Sequence, residues 1–360
     1  MRAFTAILIV AAAAAVSAAV LPDTQARAPI VAGTWTADAR SGWADDNGEA
    51  RVQLNLSGDE GDARWGFGVP ARALEGLPAA AVTGAAADVT FVLVRDAGRF
   101  RFTGSFDRGR GAGRYAFEPD EAYRREMAGL GYPSLTLDDQ VRLAVLDVGT
   151  GYVRALAGAG YRDLPLDVLT RMRIHRVTAE GIGELAALGY RGVEAGELVR
   201  MGIHRVTPAF IRELAEAGYR GLTTRQLVTF RIHTVTPDFV RALAARGYRD
   251  LPADDLVAFR IHKVSPEGID DLAALGYRGL GADELVAMRI HGVTPAFIRE
   301  MRAAGLDRLT VDQLRRLRIH GVDGRFVRHL AEDGYSGLTA EQLIRVAIRG
   351  PQILRKPGRR

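Results

Sequence analysis

The sequence predicts a two-part α+β chain: an amino-terminal antiparallel β module followed by an α-hairpin solenoid of about eight 29-residue repeats. Two residue columns predict the second part. Six of the seven histidines stand 29 residues apart, at His175, His204, His233, His262, His291 and His320. In step with them a Gly-Tyr pair recurs at 131, 160, 189, 218, 247 and 276, becomes Gly305-Leu306 once, and returns as Gly334-Tyr335. A fixed period of this length marks stacked supersecondary units, none of which can bury its apolar face without its neighbours. A third observation, alternation of apolar residues with period two ahead of residue 118, predicts the first part.

Taken in order, residues 1–19 read as a secretory signal peptide: Met-Arg, an alanine-dominated apolar run, then small residues such as Ser17 and Ala19 for cleavage. An uncleaved anchor is the alternative, since the run approaches the roughly 20 residues that span a bilayer. No later stretch is long and apolar enough to span, so with the signal removed no membrane span remains, and a periplasmic or secreted location is expected. The absence of cysteine excludes disulfides and lipid attachment, leaving packing as the source of stability.

Residues 32–118 form the expected β module. Val89 to Val94 and Phe100 to Phe106 alternate, with Asp96-Ala97-Gly98 between them as a hairpin turn. Further strands are expected at 33–37, 51–56, 64–69 and 113–117. Gly33-Thr34-Trp35 resembles the Gly-x-Trp of lipocalin-type barrels, although the module is too short for an eight-stranded calyx. Gly109, Gly111 and Gly113 lack the strand-turn-helix context of a dinucleotide fingerprint and read as a glycine-rich turn.

The repeat domain is expected over 120–351. In the segment from Thr207, that threonine is a helix N-cap and Pro208 the first helical residue. Val206 and Ile211 are spaced as a hydrophobic staple, and Gly218 followed by Tyr219 is a Schellman stop, which predicts that Tyr219 packs on Leu214. A second helix starts at Thr223, with Gln226 completing a capping box; Thr310 with Gln313 and Thr339 with Gln342 repeat it. Sixteen helices of roughly ten residues would each be marginal alone. Residues 185–192 and 272–279 are identical, so a three-segment block is duplicated, and both copies carry glycine (Gly181, Gly268) where other segments have Phe210, Phe239, Phe297 or Phe326. Either this is drift, or it is a matched pair of hollows. Residues 352–360 read as a basic disordered tail.

Net charge is +5, and of the 48 basic residues only Lys263 and Lys356 are not arginine. The histidine column does not suit a metal, because packed helices lie about 8–10 Å apart while zinc holds imidazole nitrogen at about 2.0–2.1 Å. The six histidines are therefore assigned a structural role at helix ends, each ring donating to the last carbonyls. Arginines form three columns, at Arg154, Arg212, Arg241, Arg299 and Arg328 in the first helix; at Arg162, Arg191, Arg220, Arg249 and Arg278 after Gly-Tyr; and at Arg173, Arg231, Arg260, Arg289 and Arg318 before the Ile-His pair. Pairing with nearby carboxylates on solvated faces is one reading. The other takes the last column as a binding surface for a carboxylate- or phosphate-bearing polymer.

The string Arg289-Ile290-His291-Gly292-Val293-Thr294-Pro295-Ala296-Phe297-Ile298-Arg299 resembles a bacterial repeat of secreted, uncharacterised proteins and of the tails of membrane metallopeptidases of the β-lactam-sensor antirepressor type. The resemblance covers the repeat part only. It implies an envelope accessory or sensing module and brings no peptidase chemistry, since the chain has no His-Glu-x-x-His. The expected function is an interaction scaffold with a protein or envelope partner, without cofactor, metal or catalysis. Alternatives are binding of an anionic polymer, cell-wall or lipid head-group, and an enzyme with its site in the β module; nucleic acid is not an expected partner.

Overall fold

The computed structural model of the protein describes residues 31–39, 51–59 and 64–353. The expected signal segment and most of the expected tail lie outside the described residues. The chain divides into two compact units, Met1–Arg124 with Leu135–Val145 and Arg125–Ser134 with Leu146–Arg360.

The first unit is built on β1 (Val31–Asp38), β2 (Arg51–Gly58), β3 (Arg64–Pro70), β4 (Leu74–Glu75), β5 (Ala87–Arg95), β6 (Gly98–Asp107) and β7 (Arg110–Pro119), with α1 (Ala79–Thr83) between β4 and β5. They form one antiparallel sheet in the order β3-β2-β1-β7-β6-β5-β4. The six longer strands fall where alternation predicts them. Neither β4 nor α1 was expected, because elements of two and five residues are too short to show a period.

The sheet curls: the rings of Phe67 on β3 and Phe100 on β6 lie 6.5 Å apart although three strands separate them in the sheet order. Inside it Trp35, Phe91, Phe100, Phe102, Phe106 and Phe117 are almost fully buried. Trp35 meets Phe91 edge-on at 5.3 Å, and its indole N–H donates to the Thr103 carbonyl at 3.1 Å. Arg95 pairs with Gly98 and Asp107 with Arg110, so both hairpin loops have two residues. In the second, Arg108 and Gly109 both take positive φ, as a primed turn requires. The glycine run is therefore not all turn: Gly111 and Gly113 lie in β7. A Cβ on Gly111 would come within 2.8 Å of the Trp35 and Phe106 rings, and one on Gly113 within 2.0 Å of the Thr103 carbonyl oxygen.

A helix belonging by sequence to the first 29-residue segment completes this unit. Helix α2 (Glu121–Gly129) precedes α3 (Leu137–Val145), and α3 packs on β6 and β7. Its Gln140 is fully buried and donates from Nε2 to the carbonyls of Ala97 and Asp120, both at 2.8 Å.

In the second unit nearly every helix is nine residues long: α4 (Thr150–Gly158), α5 (Leu166–Ile174), α6 (Ala179–Ala187), α7 (Ala195–Ile203), α8 (Pro208–Glu216), α9 (Thr224–Ile232), α10 (Pro237–Ala244), α11 (Ala253–Ile261), α12 (Pro266–Ala274), α13 (Ala282–Ile290), α14 (Pro295–Ala303), α15 (Val311–Ile319), α16 (Gly324–Glu332) and α17 (Ala340–Arg349). From α4 onward each packs on the helix two along the chain, α4 on α6 and α5 on α7 through to α14 on α16 and α15 on α17. The architecture is helical and repeat-like.

Local chemistry sets these lengths. The Thr207 hydroxyl accepts from the Phe210 N–H at 3.2 Å, with Pro208 at the first helical position. Both arms of the capping box form at Thr223, Thr310 and Thr339. At the other end of α8, Gly218 takes φ +101°, the Tyr219 N–H donates to the Leu214 carbonyl at 2.8 Å and the Gly218 N–H to Ala215 at 3.2 Å, which is the Schellman pair. The Tyr219 ring meets Phe230 at 6.4 Å, and its hydroxyl reaches onward to the Leu251 carbonyl at 2.9 Å. Tyr132, Tyr190, Tyr248 and Tyr277 make the same bond, each to a carbonyl 32 residues further on. The Gly-Tyr pair thus stops one helix and ties it to the following segment.

The second helix of each segment stops the same way, but often without glycine. Arg176, Arg205, Thr234 and Lys263 hold φ between +54° and +58° where Gly292 and Gly321 stand later. A β-branched residue is the poorest occupant of that region, at roughly 1–2 kcal/mol. Thr234→Gly is therefore expected to stabilise the protein by about 0.5–1 kcal/mol after the entropy gained by the unfolded chain is subtracted. A thermal melt at 222 nm should move up by a few degrees; a decrease would contradict the assigned backbone strain.

Candidate functional site

The histidines and the arginine column of Arg173, Arg231, Arg260, Arg289 and Arg318 collect at one kind of place, the carboxyl end of the second helix in each segment. His175, His204, His233, His262, His291 and His320 are the C-cap residues of α5, α7, α9, α11, α13 and α15. The expected role of their rings is corrected. Among the described residues none of these six imidazoles makes a hydrogen bond, and it is arginine that caps the carbonyls. Nε of Arg231 donates to the His204 carbonyl at 3.1 Å, and Arg260 and Arg289 do the same to His233 and His262 at 3.3 Å. Arg173 reaches Leu146, which holds the histidine position one segment earlier, at 3.2 Å. A guanidinium arriving from the second helix of the next segment keeps its charge at every physiological pH, as an imidazole does not.

Three of these arginines, and Arg318 of the same column, lie over aromatic rings of the first helix in their own segment. The guanidinium carbon of Arg173 stands 5.2 Å from the Tyr152 centroid, Arg231 4.8 Å from Phe210, Arg260 4.8 Å from Phe239 and Arg318 4.9 Å from Phe297. Each contact contributes about 0.5–1 kcal/mol if exposed. Burial pushes the Tyr152 phenol up to about 12, with Arg173 pulling the other way, and its hydroxyl donates to the Val177 carbonyl at 2.8 Å. Where glycine replaces the ring the pattern loosens: Gly181 has Gly202 in place of the arginine, and Arg289, in the segment of Gly268, is exposed. A Cβ at Gly181 or Gly268 would meet only the capping hydroxyl, at 3.5 and 3.4 Å, so crowding does not demand glycine there.

The other arginine columns serve neighbours. In the second column Arg154 pairs with Glu126 and Arg212 with Glu184, across segments, and Arg241 with Asp238 within its helix. In the third, Arg162 and Arg249 turn back to the carbonyls of Ala157 and Ala244 at 3.4 Å. Outside all three columns, Arg246 grips Asp270 with both nitrogens of its fork, at 2.8 and 2.6 Å, and holds that carboxyl below the usual carboxylate range.

One column was not singled out in the sequence. Ile174, Ile203, Ile232, Ile261, Ile290 and Ile319, each the last residue of its helix, are 50–56% exposed, and Ile348 near the end of α17 is 58% exposed. In α9 the buried residues are Leu227, Val228 and Phe230. Ile232, two positions past Phe230, lies about 200° round the helix from it and so off the buried face. The legible signal was this phase offset. Treating every apolar residue of Arg-Ile-His as core hides it.

Among the described residues no three His, Asp or Glu side chains group as metal ligands would. Calorimetric titration of zinc into the protein is expected to give no saturable heat at micromolar concentration. Substituting His233→Gln and His262→Gln together should leave helix content intact and change stability by less than about 0.5 kcal/mol per site, as for surface positions without partners. A stoichiometric zinc site removed by that double change would overturn the reading that the histidine column holds no metal.

No protein-family model and no curated protein matches the chain. Among the described residues no helix is long and apolar enough to cross a membrane.

Proposed function

We propose that the helical unit, with α2 and α3, is an α-hairpin solenoid of about eight 29-residue repeats, and that the protein is an interaction scaffold, periplasmic or secreted, which binds through the solenoid surface rather than by catalysis. The observation that carries this reading is the recurrence of one half-exposed apolar side chain, flanked by arginine, at the same helix end in successive segments. An array that repeats an exposed feature at a fixed step offers an extended binding surface. The tyrosine hydroxyls that bond to the following segment support stacking of equivalent units. The likeness of the Arg-Ile-His-Gly-Val-Thr-Pro string to repeats of bacterial secreted proteins supports an envelope role.

Binding of a phosphate- or carboxylate-bearing polymer by Arg173, Arg231, Arg260, Arg289 and Arg318 alone is the weaker reading. Four of the five guanidiniums lie over rings and four donate to carbonyls, so the column is part of the scaffold's own cohesion.

Two measurements test the proposal. Deleting α14–α17 should leave a folded, less stable protein whose helical signal falls in proportion, because contacts in a solenoid are between neighbours; loss of all helical signal would refute the architecture. Crosslinking the protein in an envelope extract should then capture a partner whose crosslinks map to α4–α17, and crosslinks confined to the β unit would refute the binding role of the helices.

A further inference from the structure

The isoleucine column that carries the scaffold reading has as yet no ligand assigned to it. Nine large hydrophobic side chains are exposed among the described residues, and seven of them are these isoleucines. Exposed apolar residues scattered singly need no explanation, but seven at one fixed helix end are not scattered. Their neighbours vary: three residues before the isoleucine stand Arg171, Arg200, Thr229, Ala258, Ala287 and Arg316, and two residues after it Arg176, Arg205, Thr234, Lys263, Gly292 and Gly321. The exposed position itself is isoleucine in seven successive segments, and only the first segment has another residue there, the buried Val145.

Charge identifies what could lie there. Arginine precedes the isoleucine in five segments, histidine follows it in six, and no acidic residue occurs from the residue before it to two after it in any of the seven segments that carry it; in the first segment, where Val145 holds the position, Asp147 stands two after it and pairs with Arg173. Ring and carbonyl fix the position of each guanidinium in Arg231 and Arg260. Among the described residues Nε makes the one side-chain hydrogen bond of each, which leaves the two Nη atoms for an incoming carboxylate. The complement is acidic and apolar together.

Spacing identifies its form. Packed helices repeat at about 8–10 Å. An α-helix rises that far in about six residues, which turns its side chains some 240° away from the first. A β-strand needs about three residues, which puts successive contacts on opposite faces. A polyproline-type chain also rises about 9 Å in three residues, but three residues make one full turn, so every third side chain faces the same way. A chain of that kind can follow the small rotation between stacked units, as a flat bilayer cannot.

We propose that the isoleucine column and its arginines bind an extended acidic peptide segment, in polyproline-type conformation, with an apolar side chain at every third residue. This rests on the scaffold reading and names its partner. The probe is a fluorescent (Pro-Glu-Leu)6 peptide titrated by anisotropy onto the full protein, against a peptide of the same composition with leucine on no fixed period. The periodic peptide should bind at least tenfold more tightly than the aperiodic one. The triple change Ile232→Ser, Ile261→Ser and Ile290→Ser should remove at least nine-tenths of that affinity with the melting curve retained, since all three side chains are half exposed. Equal binding of the two peptides, or binding indifferent to the serine variant, overturns the proposal. So does isoleucine-dependent sedimentation with vesicles of phosphatidylcholine and phosphatidylglycerol that the peptide does not compete away, which would make the ligand a lipid surface. If the peptide fails while crosslinks to α4–α17 persist in the serine variant, this surface is wrong and the scaffold reading stands; if the wild-type protein yields no such crosslinks, the scaffold reading itself fails.

Discussion

Gln140→Glu is expected to destabilise the β unit by about 3–5 kcal/mol at neutral pH, the range for an uncompensated buried charge. Gln140 has no measurable exposure, and its amide nitrogen gives one proton to the Ala97 carbonyl in the β5–β6 loop and another to the Asp120 carbonyl beyond β7. Both carbonyls also accept from backbone, Ala97 from the Asp120 N–H and Asp120 from the Arg124 N–H. Removing the amide therefore weakens them without orphaning them. Gln140→Leu should accordingly cost only about 1–3 kcal/mol, two net hydrogen bonds, offset in part because the Gln140 Oε1 is itself buried without a partner. Glutamate is different: it keeps the shape, loses both donors and sets a carboxylate against two carbonyl oxygens.

The sign with pH follows. Burial and facing acceptors raise the new carboxyl above its unfolded value, so the penalty is smallest below the ordinary glutamate pKa, where the group is protonated in both states. It grows as pH rises towards the folded pKa and is complete above it. The measurement is urea denaturation followed by tryptophan fluorescence. Of the three tryptophans Trp35 and Trp65 lie in β1 and β3, and Trp43 also precedes residue 120, so none of the signal comes from the helices. A Gln140→Glu protein as stable as wild type at pH 7.5 would show that this side chain is not enclosed.

Gln140 also marks where sequence reasoning stops. The six long strands and the helices were legible because alternation, threonine caps and Gly-Tyr stops are local signals, readable within ten residues. That α3, the second helix of the first segment, packs on β6 and β7 depends on a long-range fit, and a glutamine on a helix gives no sign of its partners 43 and 20 residues away. The histidines drew attention by rarity, yet the working group at the helix end is arginine, whose role depends on a ring 21 residues back and a carbonyl 27 residues back. Positive φ at Thr234 was hidden for a related reason. Glycine announces a left-handed residue, and the segments that do without it announce nothing.

Gly218→Val is expected to lower stability by about 2–3 kcal/mol, the cost of holding a β-branched residue in a sparsely populated backbone region. The effect is one of backbone alone: a Cβ at Gly218 would meet nothing within 4 Å, while φ there is +101°. Gly158 makes the matching control, since it too has open space around it but lies within α4 at ordinary helical φ. Gly158→Ala should leave stability equal or higher by up to about 1 kcal/mol. The damage at Gly218 does not stay local. Relaxing that residue towards negative φ breaks the Tyr219 N–H bond to Leu214 and swings the tyrosine off Phe230 and off the Leu251 carbonyl, which is the tie to the following segment. Far-UV melting should then show a lowered midpoint and a broader transition, as helices on either side of the broken tie lose cooperativity. A midpoint unchanged within error, with Gly158→Ala behaving as described, would mean that the Gly-Tyr pair is not what holds successive segments together.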